Sequence, residues 1–395
     1  MNQTTPTNQP IGPIRQAERI QILDILRGFA VFGILAVNMA GFASPAFLPG
    51  YIPPAALPWY DQLAEALVLF FCEAKFYTIF SFLFGLGFSV QMARAEAKGR
   101  DIKSFYPRRL WWLLAFGILH AVLFWIGDIL RIYALLGFAL LAFRKRSNRT
   151  LVIWVLVLFG ISFLLLGLLG GEDGGIPGFD VVAMARQVYQ GDSYLNVLIF
   201  QIFASLTSFV IIFLTQGPSA LALFLLGLLA GRLKFFEQLP EERAFLKRAG
   251  LVGLLVGLVG NGIYLWVEDP WLSALAITLG APAMSTAYVG GLSLLSLGKR
   301  GARWLAPLAS VGRMALTNYI LQSVVCAFIF GGFGLGFYEE INAAGLLGLT
   351  FLIYLLQIPL SVWWLRHFRF GPLEWLWRSL TYRQRQPMRK AHVAA

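Results

Sequence analysis

Cysteine, histidine and charge are all scarce in this 395-residue chain, and each shortage removes a class of function. Two cysteines, Cys72 and Cys326, both fall inside apolar runs, which leaves no disulfide framework and no thiolate metal site. Of the three histidines, His392 is in the terminal tail and His367 at the edge of an apolar run, so a His-rich site is not expected and no metal is assigned. The chain has no Gly-x-x-x-x-Gly-Lys-Ser/Thr loop, no His-Glu-x-x-His pair, no Gly-x-Ser-x-Gly elbow and no Gly-x-Gly-x-x-Gly turn. ATPase, zinc-protease, elbow-type hydrolase and dinucleotide chemistries are thereby set aside. No cleavable leader is visible ahead of the first apolar run near Ile20.

What the chain does have is apolar length. Hydrophobic residues make up 58% of it against 13% charged, and several uninterrupted apolar runs reach 17 residues or more, the signature of an all-α polytopic membrane protein. The net charge of +12 sorts by loop: 27 of the 32 Lys and Arg residues lie in the two tails and in four alternate connections. By the positive-inside rule these segments share the cytoplasmic face, so both termini are expected inside, at a bacterial inner membrane. The basic excess then implies contact with anionic lipids at that face rather than nucleic acid. The opposite connections hold acidic residues, among them Asp61, Asp128, Glu172, Asp173, Asp180, Asp192, Glu339 and Glu340.

The runs predict about ten crossings within one transmembrane domain, residues 19–367, after a disordered tail of residues 1–18. One or two further helices are expected to be interfacial or re-entrant: residues 61–74, whose Asp61, Glu65 and Glu73 are too polar for lipid, and residues 195–214. The latter are separated by Gln216-Gly217-Pro218 from a crossing at 218–232. Residues 305–330 read as one crossing. Residues 368–395 read as an amphipathic helix on the cytoplasmic surface followed by a basic tail, because Leu373, Leu376, Trp377 and Leu380 share one face. Small-residue pairs at Gly227/Gly231 and Gly253/Gly257 predict close helix packing.

Ionisable groups inside spans are expensive, which makes them candidates for a shared cavity. Span one carries Asp24 and Arg27 three apart, with Asn38 further along the same stripe. Glu73 and Lys75 open span two, Arg131 follows the third span's turn, and Arg313, Asn318 and Gln322 sit in the 305–330 run. The sharpest candidate is His120, the one titratable group in the run Leu110–Ile126, with Asp128 in the following turn. Eight residues separate them, about 80° around an ideal helix, which brings contact within reach. A histidine steadied by a carboxylate is the minimum equipment for general-base work on an attacking hydroxyl or amine. For the other polar span residues, a hydrogen bond between helices is an equally good reading.

Several pieces resemble one family. They are Leu23-Asp-Ile-Leu-Arg-Gly28, Lys75-Phe-Tyr-Thr-Ile-Phe-Ser-Phe-Leu-Phe-Gly85, Gly117-Ile-Leu-His120 with Gly127-Asp-Ile-Leu130, Gly312-Arg-Met-Ala-Leu-Thr-Asn-Tyr319 with Gln322-Ser323, and Phe368-Arg-Phe-Gly-Pro-Leu-Glu-Trp-Leu-Trp377. Together they are similar to the YeiB-like bacterial inner-membrane proteins, over nearly the whole chain past residue 18. The opening Leu-Asp-x-Leu-Arg-Gly also resembles the wider transmembrane acyltransferase group, which includes an acyltransferase-3 type and a heparan glucosaminide acetyltransferase type. That resemblance implies movement of an acyl unit from cytoplasmic acyl-CoA to a small-molecule, glycan or lipid acceptor at the outer face. The chain departs from the acyltransferase-3 pattern at Val37-Asn38-Met39, where a paired histidine is expected, which leaves His120 to act as in the glucosaminide branch. Asp128 would orient it, and Asp24, Arg27 and Asn38 would sit at the donor. Glu73, Lys75, Arg131, Arg313, Asn318 and Gln322 would line the substrate cavity. The alternative is a carrier of lipids or small molecules, in which the same groups form a translocation path and His120 is a proton switch. A second copy of the chain is a further candidate partner.

Overall fold

The computed structural model describes residues 20–54, 56–170 and 180–390, so the expected tail 1–18, Glu172 and Asp173, and the last five residues lie outside the described residues. Fourteen α-helices and, among the described residues, no strand make up the fold. In chain order they are α1 (Gln21–Ala43), α2 (Trp59–Phe71), α3 (Lys75–Ala97), α4 (Tyr106–Leu123), α5 (Leu130–Phe143), α6 (Asn148–Leu169) and α7 (Val181–Gln190). The second half adds α8 (Tyr194–Arg232), α9 (Arg243–Trp266), α10 (Pro270–Ser296), α11 (Lys299–Arg313), α12 (Ala315–Phe330), α13 (Ala343–His367) and α14 (Pro372–Tyr382).

Seven segments are long and apolar enough to cross a bilayer: α1, α2 with α3 as Trp59–Ala97, α6, α8, α9, α10 and α13; the pair α11 and α12 makes an eighth if counted as one bent span. This is a polytopic membrane protein, and among the described residues fewer helices are long and apolar enough for a full crossing than the ten expected. Three departures from the expected layout stand out, and the first and last of them account for the difference. The expected third and fourth crossings are the short pair α4 and α5, a hairpin whose turn is sealed inside the protein. The expected re-entrant segment 195–214 is the first half of α8, which runs unbroken through Gly217-Pro218 for 39 residues. A proline is tolerated inside a membrane helix where neighbouring groups can satisfy the backbone acceptors it frees. The run 305–330 breaks at Met314, where α11 and α12 meet at 74°.

α1 is the most enclosed of the spans and packs on α2, α3, α10, α11, α12 and α13. Lipid is as apolar as leucine, so close backbone contact rather than hydrophobicity holds such helices together. Gly28 and Gly312 provide it: a Cβ on Gly28 would strike the carbonyl of Leu308, and one on Gly312 the carbonyl of Asp24. The pairs singled out in the sequence do the same elsewhere, Gly227 against the backbone of Phe82 on α3, and Gly253 and Gly257 against α10.

Two carboxylates expected in exposed connections are buried. Asp61 is 2% exposed and accepts from the Ala344 amide at 2.9 Å, anchoring α2 to the start of α13. Asp128 is fully buried in the α4–α5 turn. α14 lies across the arginine-rich end of the bundle, with the Trp377 indole N–H donating to the Arg109 carbonyl at 2.8 Å and the Arg109 guanidinium stacked 3.6 Å over its ring.

Candidate active site

The α4–α5 hairpin builds the site. α4 ends one turn past His120, whose carbonyl accepts from the amides of Phe124 and Trp125. Asp128 then caps α5 by accepting from the Arg131 amide at 2.9 Å through Oδ1, a favourable place for an anion because the amides and dipole of a helix start point at it. Its other oxygen, Oδ2, lies 2.8 Å from His120 Nδ1, and His120 Nε2 lies 2.8 Å from the hydroxyl of Ser323 on α12. The side chains of His120 and Asp128 are wholly inaccessible and Ser323 is 1% exposed. The Arg131 guanidinium donates to the carbonyls of Ser205 and Ile126, and its Nε sits 3.4 Å from Asp128 Oδ1. Gly117 makes this packing possible: a Cβ there would come within 2.7 Å of the Arg131 nitrogen and 2.8 Å of Asp128 Oδ1.

In the tautomer that donates from Nδ1 to the Asp128 carboxylate, Nε2 is left to accept from the Ser323 hydroxyl. The result is a line Asp128–His120–Ser323, the arrangement in which a carboxylate fixes a base and the base faces a hydroxyl. Ser323 is the residue that sequence reasoning did not place here. Its only signal was adjacency to Gln322 in a resembling motif, and a serine in an apolar helix ordinarily reads as a small packing residue.

Beyond the relay lies a cavity of about 280 Å³, near the lower limit of ligand sites. Arg27, Arg94, Arg109, Arg313 and Arg378 line its mouth together with Asp24 and Glu374, and Arg27 pairs with Asp24 at 2.8 Å. Its depth is apolar, lined by Val31, Ile34, Leu83, Leu113 and Leu130, and it ends at Tyr319. The Tyr319 ring packs on the imidazole with centroids 4.8 Å apart, so one aromatic side chain separates the cavity from the relay. On the far side, a space of only about 20 Å³, room for one water, is bounded by Leu123, Trp125, Tyr189, Gln201 and Ala327.

The expected cavity is therefore divided. Asp24, Arg27 and Arg313 do line it, and His120, Asp128 and Arg131 form the relay behind it. Asn38 lies deeper on α1 and outside the lining. Lys75 is fully buried at the left-handed α2–α3 turn, its ammonium donating to the Leu69 carbonyl at 2.8 Å, and neither it nor Glu73 reaches the cavity. Asn318 and Gln322 face α13 instead: Gln322 donates to Gln357 Oε1 at 2.8 Å, Gln357 donates to the Asn318 carbonyl at 3.0 Å, and Asn318 donates to Ser361 at 3.0 Å. They are glue between helices.

Glu374 is a second residue that the sequence did not single out. From α14 its carboxylate accepts from the amides of Leu316 and Thr317 at 2.8 and 3.0 Å and from the Thr317 hydroxyl at 2.6 Å. It caps α12 at the break, which is the physical reason the bend at Met314 is stable. Burial pushes its carboxyl above the usual carboxylate range, and these hydrogen bonds oppose that shift.

Comparison with known proteins agrees with the motifs. The chain is 36% identical over 398 residues to "Uncharacterized protein YxaH" of Bacillus subtilis (strain 168), covering 96% of this chain and 98% of that one. It is 32% identical to "Uncharacterized 39.9 kDa protein in amylase 3'region" of Bacillus acidopullulyticus, covering 95% and 97%. It is also 30% identical over 396 residues to "Uncharacterized protein YeiB" of Escherichia coli (strain K12), covering 94% and 98%. The chain belongs to the YeiB-like family. A family model described as "Protein of unknown function (DUF418)" matches residues 230–384, the stretch from the end of α8 through α14. That stretch contributes Ser323, Tyr319, Arg313 and Glu374 to the site of this YeiB-like chain, while the hairpin bearing His120 and Asp128 comes before it.

Proposed function

We propose that this YeiB-like protein is a membrane-embedded acyltransferase that moves an acyl group from acyl-CoA to a hydroxyl- or amine-bearing acceptor reached from the other face. The observation that supports it best is the position of the relay: an imidazole fixed by a carboxylate, one aromatic ring beyond the blind end of a cavity whose mouth is lined by five arginines. Arginine suits phosphate because its planar fork makes paired, charge-assisted hydrogen bonds, so the mouth fits the anionic nucleotide end of the donor. The apolar depth fits the thioester arm and acyl chain. The excess of Lys and Arg at this end supports a mouth that faces the cytoplasm and its anionic lipids. His120, its tautomer set by Asp128, is the general base, and exclusion of water by Tyr319 protects the thioester from hydrolysis.

A carrier is the second reading, favoured by the closed layer around the relay with a space on either side of it. The discriminating experiment reconstitutes purified protein in lipid nanodiscs with acetyl-CoA and with octanoyl-CoA and follows release of the free thiol. His120→Ala is expected to lower release by about 100-fold or more while keeping the detergent elution profile. Equal release from both proteins, or none from the unaltered protein, removes the acyltransferase reading.

A further inference from the structure

We infer that Ser323 is the nucleophile and that the acyl group rests on it as an ester between two half-reactions, one served from each side of the membrane. The inference depends on the acyltransferase reading and adds a covalent intermediate to it.

Three observations carry it. First, the base is already engaged: His120 Nε2 faces Ser323 Oγ at 2.8 Å while Nδ1 is held by Asp128, so the hydroxyl in line for deprotonation belongs to the protein. An acceptor that was to use His120 directly would first have to displace Ser323. Second, a serine inside a helix ordinarily bonds back to the carbonyl four residues earlier. Here that contact, to Tyr319, is 3.4 Å, longer than the contact to the imidazole, so the hydroxyl is turned toward the base. Third, Tyr319, Ser323 and Ala327 follow one another at four-residue steps along one face of α12. Tyr319 ends the arginine-lined cavity and Ala327 bounds the small space on the far side, which puts Ser323 between the two.

The chemistry balances with these groups and the two substrates. In the first half-reaction, Ser323 Oγ attacks the thioester carbonyl as its proton passes to His120 Nε2. The C–S bond then breaks, and the imidazolium returns that proton to the departing thiolate, leaving free CoA and a Ser323 ester. In the second, His120 Nε2 takes the proton of an acceptor hydroxyl or amine as its O or N attacks the ester carbonyl. The C–Oγ bond breaks, and Ser323 recovers a proton from the imidazolium. Asp128, paired with Arg131, compensates the charge on the imidazolium in both. The donor can leave before the acceptor arrives, so the relay need open to only one side at a time.

The test uses the full-length protein in nanodiscs with isotopically labelled acetyl-CoA and octanoyl-CoA, quenched in acid and read by intact mass and peptide mapping. The expected result is one acyl group per chain on the peptide containing Ser323, released by hydroxylamine and absent from Ser323→Ala, whose thiol release falls by about 100-fold or more. Ser323→Cys should trap the acyl group as a thioester on the same peptide, which keeps the inference testable should the alanine variant fold poorly. His120-dependent thiol release that survives in Ser323→Ala, or an acyl group mapped to another residue, overturns the role of Ser323 and leaves acyl transfer standing. Neither thiol release nor acylation of the unaltered protein with either donor overturns both.

Discussion

Gln322 and Ser323 are neighbours in sequence, yet they belong to two polar regions of α12 built for different ends. Gln322, with Asn318 a turn before it, meets Gln357 and Ser361 on α13 through neutral amides and hydroxyls that both donate and accept. Each group there finds its partner on the adjoining helix, and no step of the chain needs a proton to move. Ser323 meets an imidazole that is itself held by a carboxylate and an arginine, all nearly or fully buried. Inside a membrane, neutral hydrogen bonds between helices are the ordinary adhesive, whereas buried ionisable groups cost several kcal/mol and persist where they do something. On the proposed function, the difference between the two regions is that between holding and reacting.

The sharpest way to break that comparison is Asp128→Asn. It replaces the acceptor facing Nδ1 with an amide that can donate to it and so turns the wrong nitrogen toward Ser323, and thiol release from acyl-CoA should fall on the order of 10²–10⁴-fold. A fall of less than threefold in a folded variant would make the relay no more than another adhesive. A smaller effect is expected at the mouth of the cavity. Arg27→Gln should raise the KM for acyl-CoA about tenfold, the equivalent of ~1.4 kcal/mol, with kcat unchanged and with the difference shrinking in high salt. A change in kcat alone would place Arg27 in the chemistry instead.

The adhesive region should answer in stability alone. Gln322→Leu leaves Gln357 Oε1 without its donor and should cost about 1–3 kcal/mol in detergent unfolding, with thiol release within a factor of two. Adding Gln357→Leu should recover part of the loss, since two apolar groups ask for no partner; a double variant less stable than the sum of the singles would contradict this. The smallest effect is a pH dependence at α14. Glu374 has its folded pKa raised by burial, so its contribution to docking is fully present below the ordinary glutamate value of about 4.5 and is lost as pH rises through the raised value. Protection of α14 from a protease should weaken across that window and become flat in Glu374→Gln. An equal slope in both proteins would assign the dependence elsewhere.

Periodic and continuous apolar runs made most helices legible, as did the pairing of His120 with Asp128 across eight residues and a glycine. What escaped was set by tertiary contact. The break at Met314 has apolar sequence on both sides, and the carboxylate that stabilises it comes from Glu374, 60 residues later in the chain. Gly217-Pro218 reads as a break because proline lacks an amide, and within the fold the helix simply continues. Asn38 shares a helical stripe with Asp24 and Arg27, but the cavity turns from α1 toward Tyr319 before reaching it. Ser323 was silent for a plainer reason: nothing local distinguishes a serine that packs from one that faces an imidazole 203 residues away.

α8 carries a demand on its surroundings. At ~1.5 Å per residue its 39 residues extend ~58 Å, about twice the hydrocarbon thickness of a bilayer. It shows apolar side chains to the outside along its first half, from Leu195 and Phe203 through Val210 to Leu214, and packs its second half inside the protein, with Ala220, Phe224 and Leu228 fully buried. Water tolerates no such greasy stretch, so the exposed half has to lie in lipid, and a helix of this length fits a bilayer only by leaning, which gives the surrounding lipids a slope where other proteins offer them a vertical wall.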